Sequence, residues 1–291
     1  MRLFCTLAVA ALACSSPPGG TAEPPRKEPV SPHSDGGAAA PATATGTAPP
    51  CPGRTELAPG LVAERVRLPE PSGAACLTLV RIDLARYRLE VRTAQQDGGV
   101  RPAPGWAADF GLAAVMNTSM FGDDLRSVGL LYDARAVNRD RDNPKQGGFL
   151  AFDPVDPSAP PAVMTGRDCD GFDLAALRRS YRGLVQDYRL LDCAGGAIRW
   201  ADPKIYSAAA IALDRDGRIV FLHARAPMTM SALSRALAEL DLAAALFAEG
   251  GPEASLVAGA VREIGSFETG FWDDSNRRFW DIPNVLGAAP R

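Results

Sequence analysis

Residues 249–251 read Glu-Gly-Gly, and an apolar run, Leu242-Ala-Ala-Ala-Leu-Phe-Ala248, delivers the chain to that carboxylate. Glycine admits backbone geometries and close approaches that a Cβ forbids, so Glu249 before Gly250 and Gly251 can stand beside bare N–H groups. Such a turn can position water, steady a cationic centre or hold an anion. A second polar break lies at Asn117, where the apolar run from Gly111 to Met116 stops and Thr118 and Ser119 follow. A third is the stretch from Asn138 to Gly148, which sets Arg139, Arg141 and Lys145 among carboxylates ahead of a glycine pair. Taken singly, each also fits an ordinary role: Glu249 in a turn, Asn117 as a cap, the Arg/Asp run as a solvated loop.

Several familiar chemistries find no support. A Ser-His-Asp triad needs a histidine beside an exposed nucleophile, yet His223 is the one histidine after residue 50 and sits within an apolar strand. It reads as a core or sheet-face residue. Phosphate-binding glycine motifs of the GxxxxGK[ST] and GxGxxG types are absent. No CxxC spacing occurs, which disfavours a zinc site. No cofactor is called for; should a metal assist, the scarcity of histidine favours oxygen ligands. The net charge of −3 without blocks of like charge gives no sign of a nucleic-acid partner, and none is expected.

The elements that must hold these residues follow from periodicity. Residues 77–92 alternate apolar and polar with a break near 84–86 and predict two strands of a hairpin. The runs 111–116, 128–132 and 148–152 predict strands of a meander. Residues 173–182 predict a short helix with Leu174, Leu177 and Tyr181 on one face. Two apolar runs, 209–214 and 219–224, flank Arg215-Asp216-Gly217-Arg218 and predict a hairpin, because Asp-Gly favours tight turns. Residues 230–240 predict a helix with Leu233, Leu237 and Leu240 at its spacing and Thr229 or Ser231 as N-cap. An aromatic tail from Phe271 to Gly287 predicts a docked segment. Strands predominate with a few inserted helices, so the fold class is α+β, a single mixed domain.

That domain spans residues 51–291. Ahead of it, residues 1–14 predict a secretory signal: an Arg, a short apolar run and small residues before a cysteine. "ALAC" resembles a lipoprotein cleavage site, which implies lipidation of Cys14 and a protein held at the bacterial cell envelope; a plain signal peptide cut nearby is the alternative. Residues 15–50 are rich in Pro, Ala, Gly, Thr and Ser and predict a disordered tether. An exported chain with Cys51, Cys76, Cys169 and Cys193 in its domain favours disulfides. Of three connectivities, the simplest joins Cys51 to Cys76 and Cys169 to Cys193.

The order of these features resembles the phosphodiester glycosidase family. Asn117-x-x-Met120-Phe121 comes first, then Val128-Gly129-Leu130-Leu131, Gly148-Phe149, the 214–220 hairpin and the capped helix. Glu249-Gly250-Gly251 with Ser255-Leu256 follows, and Ile282-Pro283-Asn284-Val285-Leu286-Gly287 closes the series. The likeness covers roughly Cys76 to Gly287; its motifs are short and the succession is the specific part. There are departures. The family usually has Asp-Gly-Gly at residues 249–251 and Asn-Gly-Gly or Asn-Ala-Gly at 117–119. An arginine is expected near the start of the Ala209 strand, where only Lys204 is cationic. Glutamate reaches one methylene further, a displacement of ~1 Å that costs on the order of 100-fold where alignment is critical.

The resemblance implies hydrolysis of the bond between a sugar's anomeric carbon and a phosphodiester oxygen, in envelope or extracellular glycans. A phosphate monoester leaves readily, so the demand falls on stabilising an oxocarbenium-like centre and positioning water. Glu249 serves either need, and Asn117, with Ser119 beside it, orients a sugar hydroxyl. The N–H groups of Gly250 and Gly251 with a cation, Arg139 or Arg141, hold the phosphate. The altered motifs also fit an inactive saccharide-binding envelope lipoprotein of the same fold.

Overall fold

The large sheet of the domain grows around the predicted hairpin. β1 (Gly53–Ala58), β2 (Leu61–Arg67) and β3 (Cys76–Ile82) open the described chain, followed by β4 (Tyr87–Thr93), α1 (Ala94–Asp97), β5 (Arg101–Pro102), α2 (Ala103–Phe110) and β6 (Ala114–Asn117). Next come β7 (Leu131–Asp133), β8 (Ala136–Arg139), β9 (Gly148–Pro154), β10 (Ala162–Gly166), α3 (Leu174–Ser180) and β11 (Tyr181–Arg189). The hairpin strands are β12 (Tyr206–Asp214) and β13 (Ile219–Met228), and α4 (Met230–Ala238) leads into β14 (Leu242–Gly250). β15 (Ser255–Ala258), β16 (Val261–Ile264), β17 (Asp281–Ile282) and β18 (Asn284–Pro290) complete the order. The computed structural model describes residues 50–68, 75–266 and 276–291, so the expected signal, most of the tether, Cys14 and the Phe271-Trp272 part of the tail lie outside the described residues.

Among the described residues the large sheet runs β1-β2-β3-β13-β12-β14-β11-β7-β8, with β9 and β10 attached beside β11. A smaller sheet runs β16-β15-β6-β18-β4. The two share one core, in which Val80, Ile211, Phe221 and Leu246 of the large sheet meet Val91, Met116, Leu256 and Leu286 of the small one. β12 shows how a nearly continuous apolar strand serves both sides of a sheet. Ala209 and Ile211 enter this core, while Ala208, Ala210 and Ala212 face a second cluster with Leu233 and Leu237 of α4. α2 covers the outer face of the small sheet through Trp106, and α3 covers β9 and β11 through Leu174 and Leu177. The fold is the strand-rich α+β domain expected.

The 209–224 hairpin forms in register, Leu213 opposite Ile219 and Ala209 opposite His223. Its loop closes on Asp214, whose buried carboxylate accepts from the N–H groups of Asp216 and Arg218 and from Arg81 Nη1 at 2.9 Å. Within this loop Gly217 takes the left-handed conformation, φ +80°. Thr229 caps α4 through Ala232 N–H, and Asp173 caps α3 through Ala176 N–H. Both disulfides join near neighbours, Cys51 with Cys76 and Cys169 with Cys193.

Two expected pairings are corrected. β3 and β4 are strands on either side of a turn at 83–86, but they do not form a hairpin. β3 is already flanked by β2 and β13, so the chain crosses to the other layer and β4 pairs with β18. The meander also dissolves. β6 belongs to the small sheet, while β7 and β9 each pair with β11.

Candidate functional site

Two strands that end at the same edge of the sandwich bring the candidate residues together. β6 ends at Asn117, whose Oδ1 accepts from Ser255 N–H at 2.8 Å. β14 ends at Glu249-Gly250, and the chain turns through Gly251 at φ +73° and a 3₁₀ turn (Gly251–Glu253) before starting β15 at Ser255. Residues 249–255 thus cross from the large sheet to the small one, and Asn117 fastens the landing. The glycines are needed here. A Cβ on Gly250 would stand 2.4 Å from the Tyr206 ring, and left-handed Gly251 presents its carbonyl to Ser207 Oγ at 2.9 Å. Gly250 N–H donates to Glu249 Oε1 at 3.0 Å, so the half-buried carboxylate is partly held by its own turn.

A residue that was not anticipated completes the cluster. Asp187 on β11 is fully buried, with Ser119 Oγ donating to its Oδ2 and Gln146 Nε2 to its Oδ1, both at a long 3.4 Å. Desolvation, and then the negative charge of Glu249, push the Asp187 carboxyl well above the usual range. Asp187 and Glu249 are therefore an acid pair in which the buried member is the harder to ionise. The segments that reach this acid, 117–119 and Gln146, also carry buried polar atoms without hydrogen-bond partners: Asn117 Nδ2, Thr118 Oγ1 and Gln146 Oε1. Native interiors pair such groups, and each unmade bond costs about 1–3 kcal/mol, so three of them beside a carboxylate pair suit a site that meets a polar ligand.

Ser119 occupies the left-handed region at φ +56°, where glycine is at ease and other residues are strained. This is the position at which the family resemblance expects glycine. The backbone keeps the glycine-like turn although the side chain has changed.

The other candidates lie elsewhere. Arg139 Nε donates to the Ser127 carbonyl at 2.7 Å and its Nη2 reaches Asp124 at 3.3 Å, so its guanidinium buttresses the loop after β6. Arg141 is exposed, between Asp140, which pairs with Arg178, and Asp142, which pairs with Arg167. Lys204 is exposed too. One further cation, Arg225, lies one residue beyond the predicted 219–224 strand and is joined to the Gly251 turn through hydrogen bonds. Arg225 on β13 donates to the carbonyls of Ile264 and Asn276 at 2.7 and 3.0 Å, and its own carbonyl accepts from Ser266 Oγ. Ser266 N–H donates to Ser207 Oγ, the hydroxyl that binds Gly251.

His223 is buried, its Nε2 3.2 Å from the Ala254 carbonyl, which makes Nε2 the protonated nitrogen. Nδ1 has no hydrogen-bond partner and lies 4.0 Å from Glu263 Oε2. Burial lowers its pKa, and the neutral ring supports the turn ahead of Ser255 from below. The signal for Asp187 was present in the sequence as a Gln-Asp pair within the apolar run Gly183-Leu-Val-Gln-Asp. Arg225 left none.

Comparison with known proteins agrees with this architecture. The model of the phosphodiester glycosidase family matches residues 110–289. Curated protein sequences provide no match. Among solved structures, a hypothetical protein from Synechocystis superposes with a TM-score of 0.58 at 13% identity, over 82% of this chain and 64% of that one. This chain thus spans less than two thirds of that protein's length. The zebrafish N-acetylglucosamine-1-phosphodiester alpha-N-acetylglucosaminidase catalytic domain, auto-inhibited by its pro-peptide, superposes with a TM-score of 0.57 at 13% identity, over 79% of this chain and 82% of that one. At such identity the structural likeness concerns the fold alone.

Proposed function

This chain belongs to the phosphodiester glycosidase family, and on that premise we propose that it hydrolyses a sugar-1-phosphodiester, with the Asp187–Glu249 pair at the centre of the reaction. The observation that carries the reading is the pair itself: a fully buried acid, raised first by desolvation and then by the charge of Glu249, in contact with Ser119 and Gln146. In this reading Glu249 is the ionised member, since Asp187 is the harder of the two to ionise. It faces the developing positive charge at the anomeric carbon or draws a proton from the attacking water. The departing phosphate monoester needs little protonation. Asn117, its Oδ1 fixed by Ser255, offers Nδ2 to a sugar hydroxyl or phosphate oxygen. The Gly250–Gly251 turn and Ser119 line the same place. Arg139 and Arg141 enter as candidate phosphate contacts only if substrate draws them from their present positions. The chain's likeness to a lipoprotein at Cys14 supports a location at the cell envelope, where glycans with phosphodiester linkages are the fitting substrates.

The purified protein is incubated with a panel of sugar-1-phosphodiesters and free reducing sugar is assayed. Release by the wild type and its loss in Glu249→Gln, with the fold intact by circular dichroism, supports the assignment. Equal rates in the two proteins remove Glu249 from the mechanism. Saccharide binding without any release favours the inactive binding protein, a reading consistent with the strained Ser119.

A further inference from the structure

Away from the acid pair, a cleft of about 530 Å³ is bounded by Arg167, Tyr188, Arg189, Arg199 and Trp200, with Asp168 among its walls. Tyr188 follows Asp187 on β11, and successive strand residues point to opposite faces. Val185 enters the core between the sheets, whereas Tyr188 packs with Trp200 on the outer side, so this cleft and the acid pair are on different faces. Its guanidinium groups differ in how far they are committed. Arg189 is bonded to Asp168 at 2.6 Å and to the Cys169 and Cys193 sulfurs at 3.1 Å. Arg167 pairs with Asp142 at 2.6 Å and lies over the Phe149 ring, yet its Nε is buried without a hydrogen-bond partner. Arg199 is exposed and has no ion-pair partner among the described residues. Trp200 stands edge-on to Tyr188 at 5.5 Å, and its Nε1 is a second buried donor without an acceptor.

Indole Nε1–H and guanidinium Nε–H can only donate, so both unmade bonds call for acceptor oxygens. The surplus of guanidinium over carboxylate calls for an anion. The aromatic pair offers an apolar face with a polar tip, suited to the C–H face of a sugar ring. We propose that this cleft binds a sugar bearing a phosphate or carboxylate group, independently of whether the Asp187–Glu249 pair is catalytic. The sugar oxygens accept from Trp200 Nε1 and Arg167 Nε once a small shift of the wall uncovers these buried donors, and the anion rests on Arg199.

The test is a titration of the purified full chain followed by ¹H–¹⁵N spectra, in which its four tryptophans report through their indole N–H signals. Trp200→Phe identifies the Trp200 signal while keeping an aromatic ring in place. Trp106, whose Nε1 already donates to the Ile282 carbonyl at 3.0 Å, is the internal reference. The probes are α-D-glucose 1-phosphate, D-glucuronate, D-glucose and inorganic phosphate. At least one anionic sugar should shift the Trp200 signal saturably and bind ~10-fold tighter than glucose or phosphate alone, and which one does so names the anion. By calorimetry, Trp200→Phe and Arg199→Glu should each weaken that binding ~10-fold. The proposal is overturned if neither anionic sugar moves the Trp200 signal, if phosphate alone moves it as strongly, or if Arg199→Glu binds as the wild type does.

Discussion

Replacing Asp187 with asparagine isolates the proton that the buried acid holds. Desolvation first and the Glu249 charge second raise the Asp187 pKa well above the carboxylate range. The unfolded chain releases this proton near pH ~3.9, whereas the folded protein keeps it to a higher pH. Between those two values the folded state carries more protons than the unfolded, so stability falls as pH rises, at ~1.4 kcal/mol per unit for this one group. The contribution is complete below the unfolded pKa and is lost as pH climbs through the folded one. Asparagine has the shape of the protonated acid and does not titrate. Urea unfolding of wild type and Asp187→Asn, disulfides intact, from pH 4 to 8 should give stabilities that converge at the acid end. Towards higher pH the wild type should fall behind the variant with that slope. In a Glu249→Gln background the window should shorten without vanishing, since desolvation remains after the neighbouring charge is removed. A difference between wild type and Asp187→Asn that does not change with pH would refute the raised pKa of Asp187.

Ser119→Gly should raise thermal stability by about 1 kcal/mol, because glycine holds φ +56° without strain and the hydroxyl lost makes only a 3.4 Å contact with Asp187; differential scanning calorimetry checks it. Asn117→Ala removes the acceptor of Ser255 N–H inside the protein and should cost about 1–3 kcal/mol in urea unfolding. Opening the Cys169–Cys193 disulfide by a double serine substitution should cost about 2–4 kcal/mol through the freed loop, measured in the same assay.

Local signals in this sequence were strong where a residue's neighbours along the chain decide its state. The 209–224 hairpin follows from spacing; of the two cap candidates the structure uses Thr229, and of the three disulfide connectivities it has the simplest. α2 was not foreseen, because Pro104 and Gly105 lie within it and argue against a helix. It persists because Trp106 is fully buried, bonds Ile282 and is stacked by Arg101. The β3–β4 hairpin failed for a related reason, since the partner of β4 lies at the far end of the chain and no local pattern announces it. At the site, Asn117, Ser119 and the Glu249 turn were visible as polar breaks in apolar runs. The Gln186-Asp187 break in an apolar run matches no motif and so does not by itself mark a site, and only the fold connects Arg225 to Gly251.

The place of β18 between β6 and β4 sets a timetable for biogenesis. β4 ends at Thr93, and the strand that must lie beside it begins at Asn284, about 190 residues further along the chain; at ~5–20 residues per second the ribosome takes roughly 10–40 s to supply it. Until then β4 lacks its partner strand and β6 has β15 on one side only, and the faces destined for the shared core stay open to solvent and to other nascent chains. The smaller sheet, and with it the landing that Asn117 fastens, is therefore a late product of synthesis.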